Sequence, residues 1–426
     1  MSDRWERSVP VFNVPIWTKP FKALMAMGGL ALGLTVYREI AGLGPASGMN
    51  DAYAWGIWKT FNVMTLTGLG SGAFAIGISA WLFKQHKLHT VMRVALLTSF
   101  LSYLSGLIMI GIDVGRPWNI YWLVTPWNWN PHSPLLEVMF CMPAYAMLPL
   151  LLENVPPVLE YFHRYKPGTQ AFVEKCEKIM IRFYPFIVAL AYILPAMHQS
   201  SLGALMLLGG NNVNPLWQTP FLPLLYVWAA AFLGVCCVAG TLLFTSLMWK
   251  RPYDMEVLVH LNKICAWLVG TWLLFRTLDL VISGKIGLAF RLDVFAGLFW
   301  IEMLFLGIAL YMLVDSMKLR DARLMFHAHV LVGVGGLLYR FNPTTLAFQP
   351  KPGAFYFPSA LEILTSVGFV ALAIAGFSIA VKVFAILPAP NYTWFQMEAH
   401  ENKIKALHRD GEKVVSLAAA ATNFSD

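Results

Sequence analysis

Residues 221–249, FLPLLYVWAAAFLGVCCVAGTLLFTSLMW, run for twenty-nine positions without an Asp, Glu, Lys or Arg. A helix needs about twenty apolar residues to cross a hydrocarbon core about 30 Å thick. This segment meets that length. Comparable stretches lie on both sides of it, at 22–38, 54–83, 91–112, 134–154, 182–208, 259–282, 294–316, 322–340 and 360–387. A transmembrane barrel would instead show alternating segments of about ten residues. With 58% apolar and 13% charged residues and a mean hydropathy of +0.60, the chain lies outside the range of soluble domains. The expected fold is an all-α integral membrane protein with about ten transmembrane helices in bundles.

The domain layout expected is an N-terminal tail at 1–20, a membrane domain at 21–390 and a polar tail at 391–426. The first twenty residues hold Asp3, Arg4, Glu6, Arg7 and three prolines, with no apolar run before a small-residue cleavage site. The first span is therefore expected to be retained.

A net charge of +8 suggests nucleic-acid binding until the cations are assigned to loops. The N-terminal tail, the even-numbered loops, the C-terminal segment and the adjoining span ends hold 23 of the 31 Lys and Arg residues. The positive-inside rule then puts both termini in the cytoplasm, which an even number of spans also requires. The expected surround is the lipid bilayer, with no nucleic acid as partner.

Five cysteines form no C-x-x-C pair and no cluster spacing, so no iron-sulfur cluster is expected in this chain and no metal site is assigned. His260, His327 and His329 are considered as haem ligands, but none is assigned and no haem is expected.

Charges at membrane depth are costly and usually functional. Asp113, Arg116, Glu137, Lys59, His198, Arg276, Asp279, Glu302 and Glu362 all fall toward the ends of their spans that face away from the tails. Independent structural pairs would scatter over both halves, so this one-sidedness predicts a shared polar pocket near the outer surface. Asp113, Arg116 and Glu362 equally suit helix ends facing interfacial water, and Glu137 equally suits a helix N-terminus behind Ser133 and Pro134. His198 is harder to explain that way, because Met197 to Ser201 is a polar or polarizable run inside an apolar helix.

The loop from Arg116 and Trp118 to Trp129 is rich in aromatics. It fits either an interfacial belt or a pocket mouth whose rings flank a flat, lipid-soluble headgroup. A quinone is such a molecule. Its reduction takes two electrons and two protons, so its site needs donors to the oxygens and a carboxylate or imidazole to pass protons. Gly68 and Gly72 form a G-x-x-x-G match that reads as close helix packing.

Ile112-Asp113-Val114-Gly115-Arg116, Leu136-Glu137, Met197-His198-Gln199-Ser200-Ser201-Leu202-Gly203, Pro215-Leu216-Trp217-Gln218, Phe299-Trp300-Ile301-Glu302, Ala347-Phe348-Gln349-Pro350 and Tyr356-Phe357-Pro358 before Glu362 occur in order. Together they resemble the NrfD family, and within it the HybB branch, over about residues 20–390. The resemblance implies the membrane subunit of a hydrogenase-2 type respiratory complex. Its partners would be a ferredoxin-like iron-sulfur subunit and the large and small nickel-iron hydrogenase subunits. Its substrate would be membrane quinone, menaquinone or ubiquinone.

The family's polar positions carry over to Asp113, Arg116, Glu137, His198, Gln199, Glu302 and Glu362. Trp118 joins Asp113, Arg116, His198, Gln199 and Glu362 as the expected quinone pocket, with Glu137, Glu302 and His198 passing protons and Arg116 holding Asp113 ionised. Asn62 stands where some relatives carry a carboxylate, with Lys59 a turn away. Two alternatives stand beside this reading: a quinone-reactive subunit with a sulfur-compound donor, and a secondary transporter with charges along a solute path.

Overall fold

The computed structural model describes residues 8–11, 15–53, 56–166, 168–249, 251 and 254–388. Among them ten helices are long and apolar enough to cross a membrane. These are α1 (Lys19–Ala41), α2 (Trp58–Trp81), α3 (Lys87–Asp113), α4 (Pro134–Tyr165), α5 (Gln170–Leu208), α6 (Leu222–Trp249), α7 (Met255–Ile282), α8 (Val294–Leu319), α9 (Ala322–Leu346) and α10 (Ala360–Val383). Two short strands, β1 (Ser8–Val9) and β2 (Leu387–Pro388), pair antiparallel. Both described terminal segments therefore meet at one end of the helices, called here the tail end. The opposite end is the site end. The polar segment after residue 390, expected as a solvated tail, lies outside the described residues.

Successive helices pack as two bundles, α2–α5 and α6–α9, joined where α6 lies against α2 and α5. The α1 and α10 helices pack on each other and close against α3. Enclosure identifies the centre: 83% of the most apolar window of α2 is buried, against 17% in α1 and in α5. The outward faces carry Ile40, Leu247, Trp267 and Ile282, which suits a lipid surround.

The α2–α6 contact depends on glycine. A methyl group on Gly234 would lie 2.8 Å from Gly72 Cα and closer still to other backbone atoms of Ser71 and Gly72. The Gly68/Gly72 pair thus serves close packing, as its spacing suggests.

Several helices are irregular where the polar residues gather. The first turns of α2, Trp58–Thr65, are π-helical, as are Ala146–Leu150 of α4 and Asn342–Leu346 of α9. Pro149 and Pro343 sit in two of these segments. Proline removes a backbone donor, and π-turns recur at functional sites because they re-aim side chains.

The α4 and α5 helices extend well beyond the 134–154 and 182–208 read from sequence. Their tail-end turns carry Arg164, Lys175, Lys178 and Arg182, whose charges end the apolar signal without ending the helix.

Candidate functional site

The nine polar residues do not line one pocket. The structure distributes them over a corner, a cavity wall, a buried network and an exposed loop.

The corner is formed by the site ends of α2, α3 and α10. Lys59 Nζ lies 2.7 Å from Asp113 Oδ2. Arg116 is exposed and makes no ion pair with Asp113, which corrects its expected role. The neighbouring Arg38 donates to the Val114 carbonyl at 2.6 Å. The Asp113 side chain is almost fully buried, so removing its cation leaves a carboxylate in a dry setting. Lys59→Met is expected to destabilise the protein by about 3 kcal/mol, with Lys59→Met/Asp113→Asn recovering most of that. Thermal unfolding in detergent checks this, and an unaltered single variant would contradict it.

Glu362 is committed to the same corner. It forms a capping box with Ser359, its own N–H donating to Ser359 Oγ at 3.1 Å and Ser359 N–H donating to Glu362 Oε2 at 2.9 Å. Oε2 also accepts from Gly48 N–H at 2.6 Å, and Oε1 accepts from the Tyr356 hydroxyl at 2.9 Å. Burial raises the pKa of that hydroxyl, and the carboxylates of Glu362 and Asp113 add to the shift. Glu362 therefore pins two loops together, where the sequence suggested a wall of the shared pocket.

Arg116 and Trp118 lie on the exposed loop between α3 and α4, Trp118 being 69% exposed. Trp122 and Trp127 join it, so the aromatic run forms a surface.

Glu137 lies in the first turn of α4 and lines a cavity of 480 Å³ with Trp129, His132, Cys141 and Met197. That volume is in the range of small-molecule sites. His198, one residue beyond Met197, turns about 100° around α5 into the core. It is fully buried there, where its ring meets the backbone of Val138 on α4. Its ring lies 5.5 Å from that of Tyr103.

Gln199 continues inward. Its amide nitrogen donates to Thr67 Oγ1 at 3.0 Å, and its oxygen accepts from Arg340 Nη2 at 3.0 Å. Arg340 also donates to the Tyr226 carbonyl at 2.8 Å and stacks over the Tyr226 ring at 4.0 Å. This guanidinium of α9 is fully buried and joins the two bundles, yet the sequence reading did not single it out.

Two residues further along, Asn342 Nδ2 donates to Glu302 Oε2 at 2.6 Å, and Trp217 Nε1 donates to the same oxygen at 2.9 Å. Glu302 Oε1, Tyr226 Oη, Tyr339 Oη and Arg340 Nη1 are buried without protein partners. Arg276 pairs with Asp279 at 3.4 Å and bonds the Leu216 carbonyl. Asp279 also accepts from Thr219 at 2.9 Å. The orphaned atoms need other partners, because unmet polar groups are costly in a low-dielectric interior. Ordered water and the headgroup of a bound ligand both satisfy that need.

Among the described residues no group of three His, Cys, Asp or Glu is placed to hold a metal ion.

The chain matches the family described as polysulphide reductase, NrfD, over residues 45–342. It is 32% identical over 376 residues to the probable Ni/Fe-hydrogenase 2 b-type cytochrome subunit of Escherichia coli (strain K12), an alignment covering 88% of this chain and 93% of that one. It is 27% identical over 380 residues to the menaquinone reductase integral membrane subunit of Nitratidesulfovibrio vulgaris (strain Hildenborough), covering 83% and 88%.

The first relative's name includes a b-type cytochrome. A b-type haem with two axial imidazoles needs them facing across a shared space. His329 is buried with Nε2 held by Asn262 at 2.8 Å, His260 and His327 have Nδ1 against carbonyls of their own helices, and His198 sits in the other bundle. His89 and His132 line separate cavities.

The family match runs from α2 to α9, across both bundles and the network that joins them, and covers more than half of the sequence: this multi-pass membrane protein belongs to the NrfD family.

Proposed function

We propose that the chain is the quinone-reactive membrane subunit of a hydrogen:quinone oxidoreductase in the cytoplasmic (inner) membrane. A ferredoxin-like iron-sulfur subunit, fed by the nickel-iron hydrogenase pair, delivers electrons at the site end, which faces the periplasm, while both termini face the cytoplasm. The similarity to a hydrogenase-2 subunit and to a menaquinone reductase subunit supports a quinone substrate, with menaquinone as the first choice.

The observation that carries this reading is the 480 Å³ cavity with Glu137 on its wall and the buried His198 one residue behind Met197. The space accepts a ring headgroup. A carboxyl and an imidazole beside it are the group types that move protons to quinone oxygens. Gln199 holds the polar network behind His198 in place, and Glu302 lies at its far end as a second proton carrier. Asp113 with Lys59 forms the neighbouring polar corner, Glu362 fixes the loops at its rim, and Arg116 and Trp118 present the loop surface to the iron-sulfur subunit.

The family description favours one second reading, in which the same quinone site serves a sulfur-compound oxidoreductase and only the donor differs.

His198→Gln and Glu137→Gln, each isolated in the intact complex, are expected to lower donor-to-quinone turnover by about a hundredfold or more while the complex still assembles. Full turnover in both variants would overturn the site. Mass spectrometry of the partners that co-purify in mild detergent identifies the donor. Hydrogenase subunits support the first reading and another oxidoreductase the second, while a lone polypeptide that transports a solute overturns both.

A further inference from the structure

A second cavity, of 410 Å³, opens at the tail end, between the tail-end halves of α2, α3, α4 and α5 and beside β1. We propose that it binds the headgroup of a phospholipid that ends in a primary ammonium, phosphatidylethanolamine, with the carboxylate of Glu153 as the counter-charge and the acyl chains left outside in the tail-side leaflet. The site lies at the opposite end of the helices from Glu137 and stands apart from the quinone reading.

The depth is that of a headgroup. The α2 helix ends at Trp81 and α3 begins at Lys87, and the lining residues Gly77, Trp81, His89 and Arg93 all lie within two turns of those ends. Trp81 and Tyr184 line the cavity and are exposed, as are Phe183 and Phe186 near Tyr184 on α5. Aromatic rings with one side in the cavity and the other in the surround mark the zone where lipid headgroups lie, and the phenylalanines offer the acyl chains an apolar face.

The chemistry of the wall selects a cation that carries N–H donors. Glu153 is half-buried and makes no ion pair among the described residues. Arg93 reaches the same wall, but its Nη1 lies 2.7 Å from Glu160 Oε2 and donates to the Ala385 carbonyl at 2.7 Å, so it is not the partner of Glu153. Pro157 and Pro195 have no N–H, so the carbonyls of Glu153 and Ala191, both on the wall, lose the donors that a regular helix would give them. A quinone or a free anion needs donors, whereas these groups accept. An ammonium brings three N–H donors and the opposite charge, and a charged carboxylate at the edge of a bilayer needs such a partner.

The rings around Glu153 suit the same ligand. Tyr184 and Tyr192 line the cavity from α5, and the faces of phenol rings attract a cation. Tyr145 closes the inner end, fully buried, with no hydrogen-bond partner for its Oη. The Glu153 carboxyl lies within electrostatic reach of Tyr145 and Tyr192. An amine seated at Glu153 completes the Tyr145 hydroxyl through one water, and its phosphate stays at the mouth of the cavity.

Lipid retention by the full chain in its native complex tests this. The delipidated complex is given phosphatidylethanolamine, phosphatidylcholine and phosphatidylglycerol of matched chains in equal amounts, and the bound lipids are read by native mass spectrometry. The parent is expected to retain phosphatidylethanolamine about tenfold over phosphatidylcholine, the worth of one hydrogen bond to a charged group, because the trimethylated nitrogen keeps the charge and lacks the N–H donors. Glu153→Gln, which removes the counter-charge, and Ala191→Trp, which fills the space, are each expected to abolish that preference. Equal retention of the three lipids by the parent, or a preference that survives in either variant, overturns the proposal. Retention of phosphatidylglycerol ahead of the others identifies an anion site and overturns it as well.

Discussion

Arg340→Met is expected to cut quinone turnover about a hundredfold, the usual cost of losing one preorganised donor at a reacting site, while the complex still assembles. The guanidinium holds Gln199 at 3.0 Å and the Tyr226 carbonyl at 2.8 Å, and so couples the His198 side of the network to the Glu302 side. Methionine fills a similar volume but supplies neither donor nor charge. Each orphaned acceptor costs about 1–3 kcal/mol. Relief from burying a guanidinium offsets part of that, so the stability loss is expected to be smaller than the loss of function. Arg340→Lys keeps the charge without the planar fork and is expected to fall between the two. Turnover within twofold of the parent in Arg340→Met would show that the bridge between bundles is not needed for the reaction.

Gly234→Ala is expected to give the largest structural defect, about 3 kcal/mol, read as loss of folded protein in a detergent melt. The new methyl group meets the backbone of Ser71 and Gly72 in α2, and a backbone inside a bundle cannot rotate aside as a side chain can. Gly240→Ala on the same helix is the control, because nothing lies within 4 Å of its added carbon. Equal melting of the two variants would show that α2 and α6 are free to separate.

Several features were legible in the sequence because they depend on local composition. Ten runs of apolar residues predict ten spans, and the bilayer thickness sets their length regardless of how the helices pack. The depth of His198, Glu302 and Asp113 follows from counting along a helix of fixed rise. The helix ends were less accessible. Charged residues end an apolar window, whereas the helix that carries Arg164 runs to Tyr165 and the one that carries Arg182 starts at Gln170.

Partnerships were not legible, since they join residues far apart in the chain. Asp113 has Arg116 three positions away and finds Lys59 on another helix. Glu362 has the spacing of a capping box with Ser359, a local signal that was available, but its bonds to Gly48 and Tyr356 needed the folded loops. In the sequence Arg340 is one more cation near the site end. Only its burial, and its contacts with Gln199 and Tyr226, distinguish it from Arg291 or Lys351.

The sequence by itself determined that this protein lies in a membrane, how often it crosses and at which depth its polar groups sit, because the cost of exposing or burying each residue in lipid is paid locally. The tertiary structure alone decided which polar groups meet. It divided one predicted pocket into a corner, a cavity wall and a network, and it opened a second cavity at the tail end that no sequence motif marks. Hydrogen bonds act over about 3 Å, and which atoms come that close is set by the packing of ten helices against one another.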